Sequence, residues 1–330
     1  MLLDLGITSR VSSREFMKIL NLAKKLKFKC LWIGEDMDEL HDVFVQASFA
    51  LLNSSLIIGI GITSIFFRNI SNIARAATSL YEIGKIENNE RFRLGIGVGG
   101  IQVLSKMNIQ IKKPLSAMRY ATFLLRKIWS GEIITFNNEA FRLKSYYARY
   151  GLGQRIPIYF GVRGPKMLSL AGELANGVIL SGPKTYLKKA VEIIKESIKK
   201  AGRSENDVNI VVWVPTILIL REKDLELAKN VVAFVLADTP ETVLKMSKIN
   251  MEIVKNIQET CMRKGIDSAA KLVTNELLDE MVFYGDALKL CESFISIGKY
   301  GINEIVFGPP FGTNKEFAIT QIAKTWRKIF

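Results

Sequence analysis

The chain has 330 residues, is 48% hydrophobic, and carries 46 Lys and Arg against 32 Asp and Glu, a formal net charge of +14. That is enough apolar length for a large buried core. A single histidine, His41, and three cysteines outside any C-x-x-C pair, Cys30, Cys261 and Cys291, exclude a histidine-rich metal site and argue against a disulfide framework.

Strands are read at residues 2–7, 29–34, 56–62, 93–98, 157–160, 177–180, 208–218 and 304–307, and helices near 13–27, 40–53, 69–85, 115–130, 165–176, 184–201, 286–299 and 315–328. Asp4 interrupts the first apolar run and no basic leader precedes it, so the start reads as a strand rather than a signal peptide, and a cytoplasmic location is expected. The richest apolar run, 56–67, is broken by Gly59, Gly61, Thr63 and Ser64 and is far short of the roughly 20 residues of a membrane span. Lysines alternate with acids and apolar residues along helices, as over 188–196, and no basic stripe is interleaved with aromatics, so nucleic acid is not an expected partner. Eight strands, each followed by a helix, predict a (β/α)8 TIM barrel. A doubly wound sheet fits the alternation nearly as well, and the count of eight favours the barrel. Two insertions are expected in one domain over 1–330. Residues 131–156 hold a hairpin, 133–136 against 140–143, before strand five. Residues 222–284 form a helical excursion after strand seven, with Thr239 as a helix cap and Pro240 at the first helical position.

Four places along the chain suggest chemistry. Strand two ends in Gly34-Glu35-Asp36, which puts carboxylates at the C-terminal mouth, where barrel sites are built; a helix cap or solvated loop would leave the same residues there. Strand three ends in Gly59-Ile60-Gly61-Ile62-Thr63-Ser64, and its glycines predict a bulge or unusual backbone. Gly95-Ile96-Gly97-Val98-Gly99-Gly100 fits G-x-G-x-x-G, but the next residues open a long helix poorly. A glycine strand approached by a flat ring, or one that simply packs in the core, remains open there. Finally, Ile158-Tyr159-Phe160 runs into Gly161-Val162-Arg163-Gly164 and a helix at Pro165. Free N–H groups and the dipole at such a helix start favour an anion, so Gly161, Val162, Arg163 and Gly164 form a candidate phosphate cradle; an ordinary strand–turn–helix corner would have the same form.

The stretch 157–178, PIYFGVRGPKMLSLAGELANGV, closely resembles the methylenetetrahydromethanopterin reductases, archaeal members of the bacterial-luciferase-like barrel superfamily that use the deazaflavin coenzyme F420. Lys113-Pro114 with Arg119, Val232-Ala233-Phe234 with Thr239-Pro240, and Gly308-Pro309-Pro310-Phe311-Gly312 extend the likeness along most of the chain. The resemblance implies a luciferase-like barrel, commonly a homo-oligomer (dimer or tetramer), with the coenzyme across the mouth. Its phosphate would be held by Gly161, Val162, Arg163 and Gly164. Gly61-Ile62 would be a non-proline cis peptide pressing on the ring, Thr63 and Glu35 would flank it, and Ser181 would lie at the mouth. The family's strand-two Thr-Asp-His is here Gly34-Glu35-Asp36. Its strand-three exit keeps Thr63 and Arg68 but has Ile65 and Asn69 for Pro and His. The acid after strand four falls on Gly100 and the strand-one glutamate on Gly6, unless Asp4 replaces it by a shift of two. The phosphate-holding half is thus kept and the pterin-facing half rewritten. The resemblance implies an F420-dependent oxidoreductase with Glu35 as candidate catalytic residue and a methylene-tetrahydropterin as acceptor. An FMN-dependent luciferase-like enzyme, or a non-catalytic cofactor-binding or partner-subunit paralogue, is the alternative.

Overall fold

The computed structural model describes residues 1–36, 41–86, 89–148 and 156–329. Eight parallel strands close on themselves: β1 (Leu2–Thr8), β2 (Cys30–Gly34), β3 (Ile57–Ser64), β4 (Phe92–Gly97), β5 (Ile158–Gly161), β6 (Gly177–Leu180), β7 (Asn209–Leu218) and β8 (Glu304–Phe311). Each pairs with the next, and β8 pairs back onto β1, Leu2 opposite Glu304 and Leu5 opposite Phe307. The result is the expected TIM barrel. The outer helices are α1 (Ser13–Lys25), α2 (Val43–Asn53), α3 (Ile70–Gly84), α4 (Pro114–Trp129), α5 (Pro165–Leu174), α6 (Lys184–Lys200), α7 (Ala287–Gly298) and α8 (Lys315–Ile329). No helix among the described residues is long and apolar enough to cross a membrane.

The strands read as continuous apolar runs because both faces are buried. Outward residues such as Leu5, Leu31, Leu94 and Phe160 pack on the helices. Inward residues, among them Trp32, Tyr159, Ile179, Val211 and Val306, form a separate cluster inside the barrel. Helix stripes follow the 3.6-residue period: α6 buries Tyr186, Leu187, Ala190, Val191, Ile194 and Ile198 and turns Lys188, Lys189, Lys199 and Lys200 outward. The N-terminal end of the barrel is closed by polar groups. Arg93 Nη1 lies 2.7 Å from Glu304 Oε2, and Trp32 Nε1 donates to Glu304 Oε1 at 2.5 Å. Asp4 Oδ1 accepts from the backbone N–H of Lys29 and Cys30 at 3.0 and 2.7 Å.

Several boundaries differ from the sequence reading. The hairpin pairs Ile134–Asn137 with Arg142–Tyr146, one to three residues later than expected. The cause is Asn138, whose Oδ1 accepts from the N–H of Ala140 and Phe141 and so sets the turn. Residues 149–155 of that insertion lie outside the described residues. α2 begins at Val43, not residue 40, because Asp42 Oδ1 accepts from Phe44 and Val45 and caps it there. β8 runs on to Phe311, past the expected residue 307, since Ile217 of β7 still pairs opposite Phe311. Thr239 is not the helix cap expected: it ends the helix Glu222–Asp238 with its hydroxyl donated back to Val235 O, and Pro240 caps Glu241–Lys245. The helical excursion itself spans Glu222 to Met281 and has its own apolar core, including Ala228, Val232, Leu236, Val254 and Ile257, joined to the barrel at Ile217.

Candidate functional site

A cavity of about 540 Å3 opens at the C-terminal ends of the strands, lined from all but the β8 side of the mouth. It falls within the roughly 300–1,000 Å3 range of small-molecule sites. The corner after β5 forms one wall. β5 ends at Gly161, and α5 starts at Pro165 with Gly164 as its cap residue, in extended backbone and without a side-chain cap. Proline at the first helical position sacrifices no bond. The loop is fixed from behind by Tyr186, whose hydroxyl donates to Arg163 O at 2.6 Å. A Cβ on Gly164 would meet nothing within 4 Å, so the helix N-terminus faces open space. Gly161, Val162, Arg163 and Gly164 all line the cavity, and no carboxylate among the described residues pairs with Arg163. An uncapped helix start beside an unpaired guanidinium is a site for an anion.

The opposite feature is the end of β3. The Gly61–Ile62 peptide is cis, and the β3–β4 register breaks between Ile60 and Thr63. The irregularity expected from the paired glycines is therefore present. It turns the Ile62 side chain across the mouth, over β4 and β5: a Cβ on Gly97 would lie 2.6 Å from Ile62 Cδ1, and one on Gly161 2.7 Å from Ile62 Cγ2. Gly97 is therefore filled by Ile62 and not left open for a flat ring. The dinucleotide reading of Gly95–Gly100 also fails, because Gly100 caps only the six-residue helix Ile101–Lys106.

Glu35 lines the cavity, yet its side chain is only 2% exposed. Thr63 Oγ1 donates to its Oε2 at 2.6 Å, and Arg68 Nη2 lies 2.5 Å from its Oε1. Arg68 also reaches Asp42 Oδ2 at 2.6 Å, donates to Thr63 Oγ1 at 3.1 Å, and lies 4.9 Å from the Phe44 ring centroid. Burial works against the guanidinium charge, but the two carboxylates outweigh it and raise the Arg68 pKa. Burial likewise opposes the Asp42 charge, and Arg68 with the α2 N–H groups lowers its pKa on balance. Thr63 is fully buried and does not line the cavity; it stands behind Glu35. Ser181 lines the mouth after β6, as expected.

Asp4 does not replace an acid at the mouth. It lies at the far end of the barrel beside Arg93 and Glu304, and Gly6, one inward position higher, packs against Trp213. Burial, then the nearby Glu304, pushes the Asp4 carboxyl up to about 7. Sequence reasoning missed Trp213, Phe67, Met167 and Pro240, which also line the cavity. For Trp213 the signal existed: Asn209, Val211 and Trp213 share the inward face of β7 at a period of two.

Comparison with known proteins places this geometry. The model of the luciferase-like monooxygenase family matches residues 4–303. The chain is 30% identical over 313 residues, 92% of each chain, to 5,10-methylenetetrahydromethanopterin reductase of Archaeoglobus fulgidus. Its fold superposes with a TM-score of 0.84 on the coenzyme F420 dependent tetrahydromethanopterin reductase of Methanopyrus kandleri, at 24% identity, covering 100% of this chain and 99% of that one. An F420-dependent secondary alcohol dehydrogenase in complex with an F420-acetone adduct superposes at 0.77 with 18% identity, over 100% of both chains. The chain belongs to the luciferase-like monooxygenase family.

Proposed function

From membership of that family as premise, we propose that the chain is a coenzyme F420-dependent oxidoreductase that moves a hydride between the deazaflavin and a methylene-tetrahydropterin. The observation that carries this is the open, uncapped start of α5 beside Arg163, facing the same cavity as Ile62, in a chain 30% identical to the Archaeoglobus reductase. The residues fit the coenzyme's two chemical parts. Gly161, Val162, Arg163 and Gly164 would hold its phosphate, and Ile62 and Ser181 would border its ring. When bound, the coenzyme supplies the hydride chemistry.

The chain's own residues bind, orient and exclude water. The backbone N–H groups of the first turn of α5 and the Arg163 guanidinium neutralise the anion. Ile62, locked over Gly97 and Gly161, sets the depth at which a flat ring can lie. Glu35 is engaged by Thr63 and Arg68, so it fixes the β2–β3 rim and orients what rests on it. The role assigned to it is positioning, in place of the catalytic role the resemblance implied. The test is turnover: reduced F420 mixed anaerobically with methylenetetrahydromethanopterin should be oxidised at a rate proportional to enzyme. Binding of F420 with no oxidation by this acceptor would contradict the pterin assignment and leave a cofactor-binding paralogue.

A further inference from the structure

The floor of the cavity has two unlike halves. Ile62 covers the β4–β5 side, next to the anion cradle. The other half, toward β1 and β8, is made by Trp213 of β7. Glycines from three surrounding strands leave room for its indole. A Cβ on Gly6 would lie 2.8 Å from Trp213 Cζ2, one on Gly61 3.1 Å from Cζ3, and one on Gly308 would collide with Nε1. The slot holds the ring and keeps it from turning.

Trp213 differs from Trp32, the other indole inside the barrel. Trp32 is fully buried and its Nε1–H is given to Glu304. Trp213 is half-buried, borders the cavity, and has no acceptor for its Nε1–H among the described residues. An immobilised aromatic face with a free N–H, beside a cofactor cradle but not part of it, is a surface for stacking. We propose that Trp213 is the platform on which the acceptor lies, and that it selects acceptors with a flat conjugated ring. This rests on the oxidoreductase reading above and adds a specificity-determining residue to it.

The test compares Trp213→Leu, which keeps apolar bulk without a ring, with Trp213→Phe, which keeps a ring. For each, F420 affinity is measured first, then KM and kcat for methylenetetrahydromethanopterin. Quenching of tryptophan emission by tetrahydromethanopterin added to the F420-loaded protein is a third readout. Trp213→Leu is expected to raise KM about tenfold, with F420 affinity within about twofold of wild type, and Trp213→Phe to restore most of the KM. The quench should be reduced in both variants, because Trp213 alone of the tryptophans lines the cavity, with Trp32 beneath it contributing the remainder. An unchanged KM in Trp213→Leu, or a pterin quench undiminished without Trp213, overturns the inference. A loss of F420 affinity in Trp213→Leu overturns it too, by placing the indole under the cofactor. Failure of the wild-type protein to bind F420 overturns instead the functional reading on which the inference stands.

Discussion

Glu35 and Arg68 lie 33 positions apart, and their pairing is what changes Glu35 from an acid at the mouth into a fixed wall. The sequence placed the carboxylate correctly but not its partner, because nothing local connects the exit of β2 to the turn after β3. Whether Asp4 could stand in for the strand-one acid was open for a related reason, and the two-residue shift it needed does not occur. Its strand and face were legible, but its height along the barrel axis depends on where β1 pairs with β8. Its burial has a measurable consequence. The folded-state pKa near 7 stands above the ordinary 3.8, so the native state holds this proton more tightly than the unfolded chain does. The stability that protonated Asp4 contributes is complete below about pH 4 and is lost as the pH rises toward 7. Asp4→Asn keeps a neutral group there. Its stability relative to wild type should therefore rise between pH 5 and 8, by about 3 kcal/mol at most. Urea unfolding of both proteins across that range checks this; a constant difference would contradict it.

The elements were legible in proportion to how locally they are specified. Barrel strands buried on both faces stand out as apolar runs, and Pro165 marks the start of α5 correctly because proline at that position needs no partner. Trp213 had a signal, the period of two it shares with Asn209 and Val211, but the same rule masks it. In the ten-residue β7, apolar residues point both ways, so the inward set does not stand out. The extension of β8 through Pro309-Pro310 was missed because prolines ordinarily end strands. The uncapped start of α5 supports a clean substitution. Gly164 has ordinary extended backbone, φ −74°, and free space around a Cβ. Gly164→Val should cost about 1 kcal/mol of stability at most, valine being a poorer helix cap than glycine, while intruding on the cradle. F420 affinity is expected to fall at least tenfold, read by titration beside a melting curve. Full affinity in a folded variant would remove α5 from the cofactor site.

At the scale of the whole molecule, a chain with a net charge of +14 presents one face without charge. α2 contains no charged residue, and Val45, Phe49 and Leu52 project from it, 68%, 39% and 70% exposed. With Ala76, Ser79, Leu80 and Ile83 of α3 they line a shallow groove of about 400 Å3. The large side chains of α2 beside Ala76 and Ser79 of α3 make an uneven apolar face that a two-fold related copy can fill with itself. Two such basic chains meet with least repulsion where charge is absent. Light scattering is expected to give a dimer or a larger even assembly, and Val45→Lys with Leu52→Lys to shift it toward monomer without loss of helix signal; a wild-type monomer at micromolar concentration would contradict this. The central claim, however, concerns the mouth of the barrel, and the measurement that tests it most directly is titration of the purified chain with coenzyme F420, with FMN as competitor. The account predicts saturable F420 binding that FMN does not displace and that Gly164→Val weakens. Binding of FMN alone, or of neither, would contradict it.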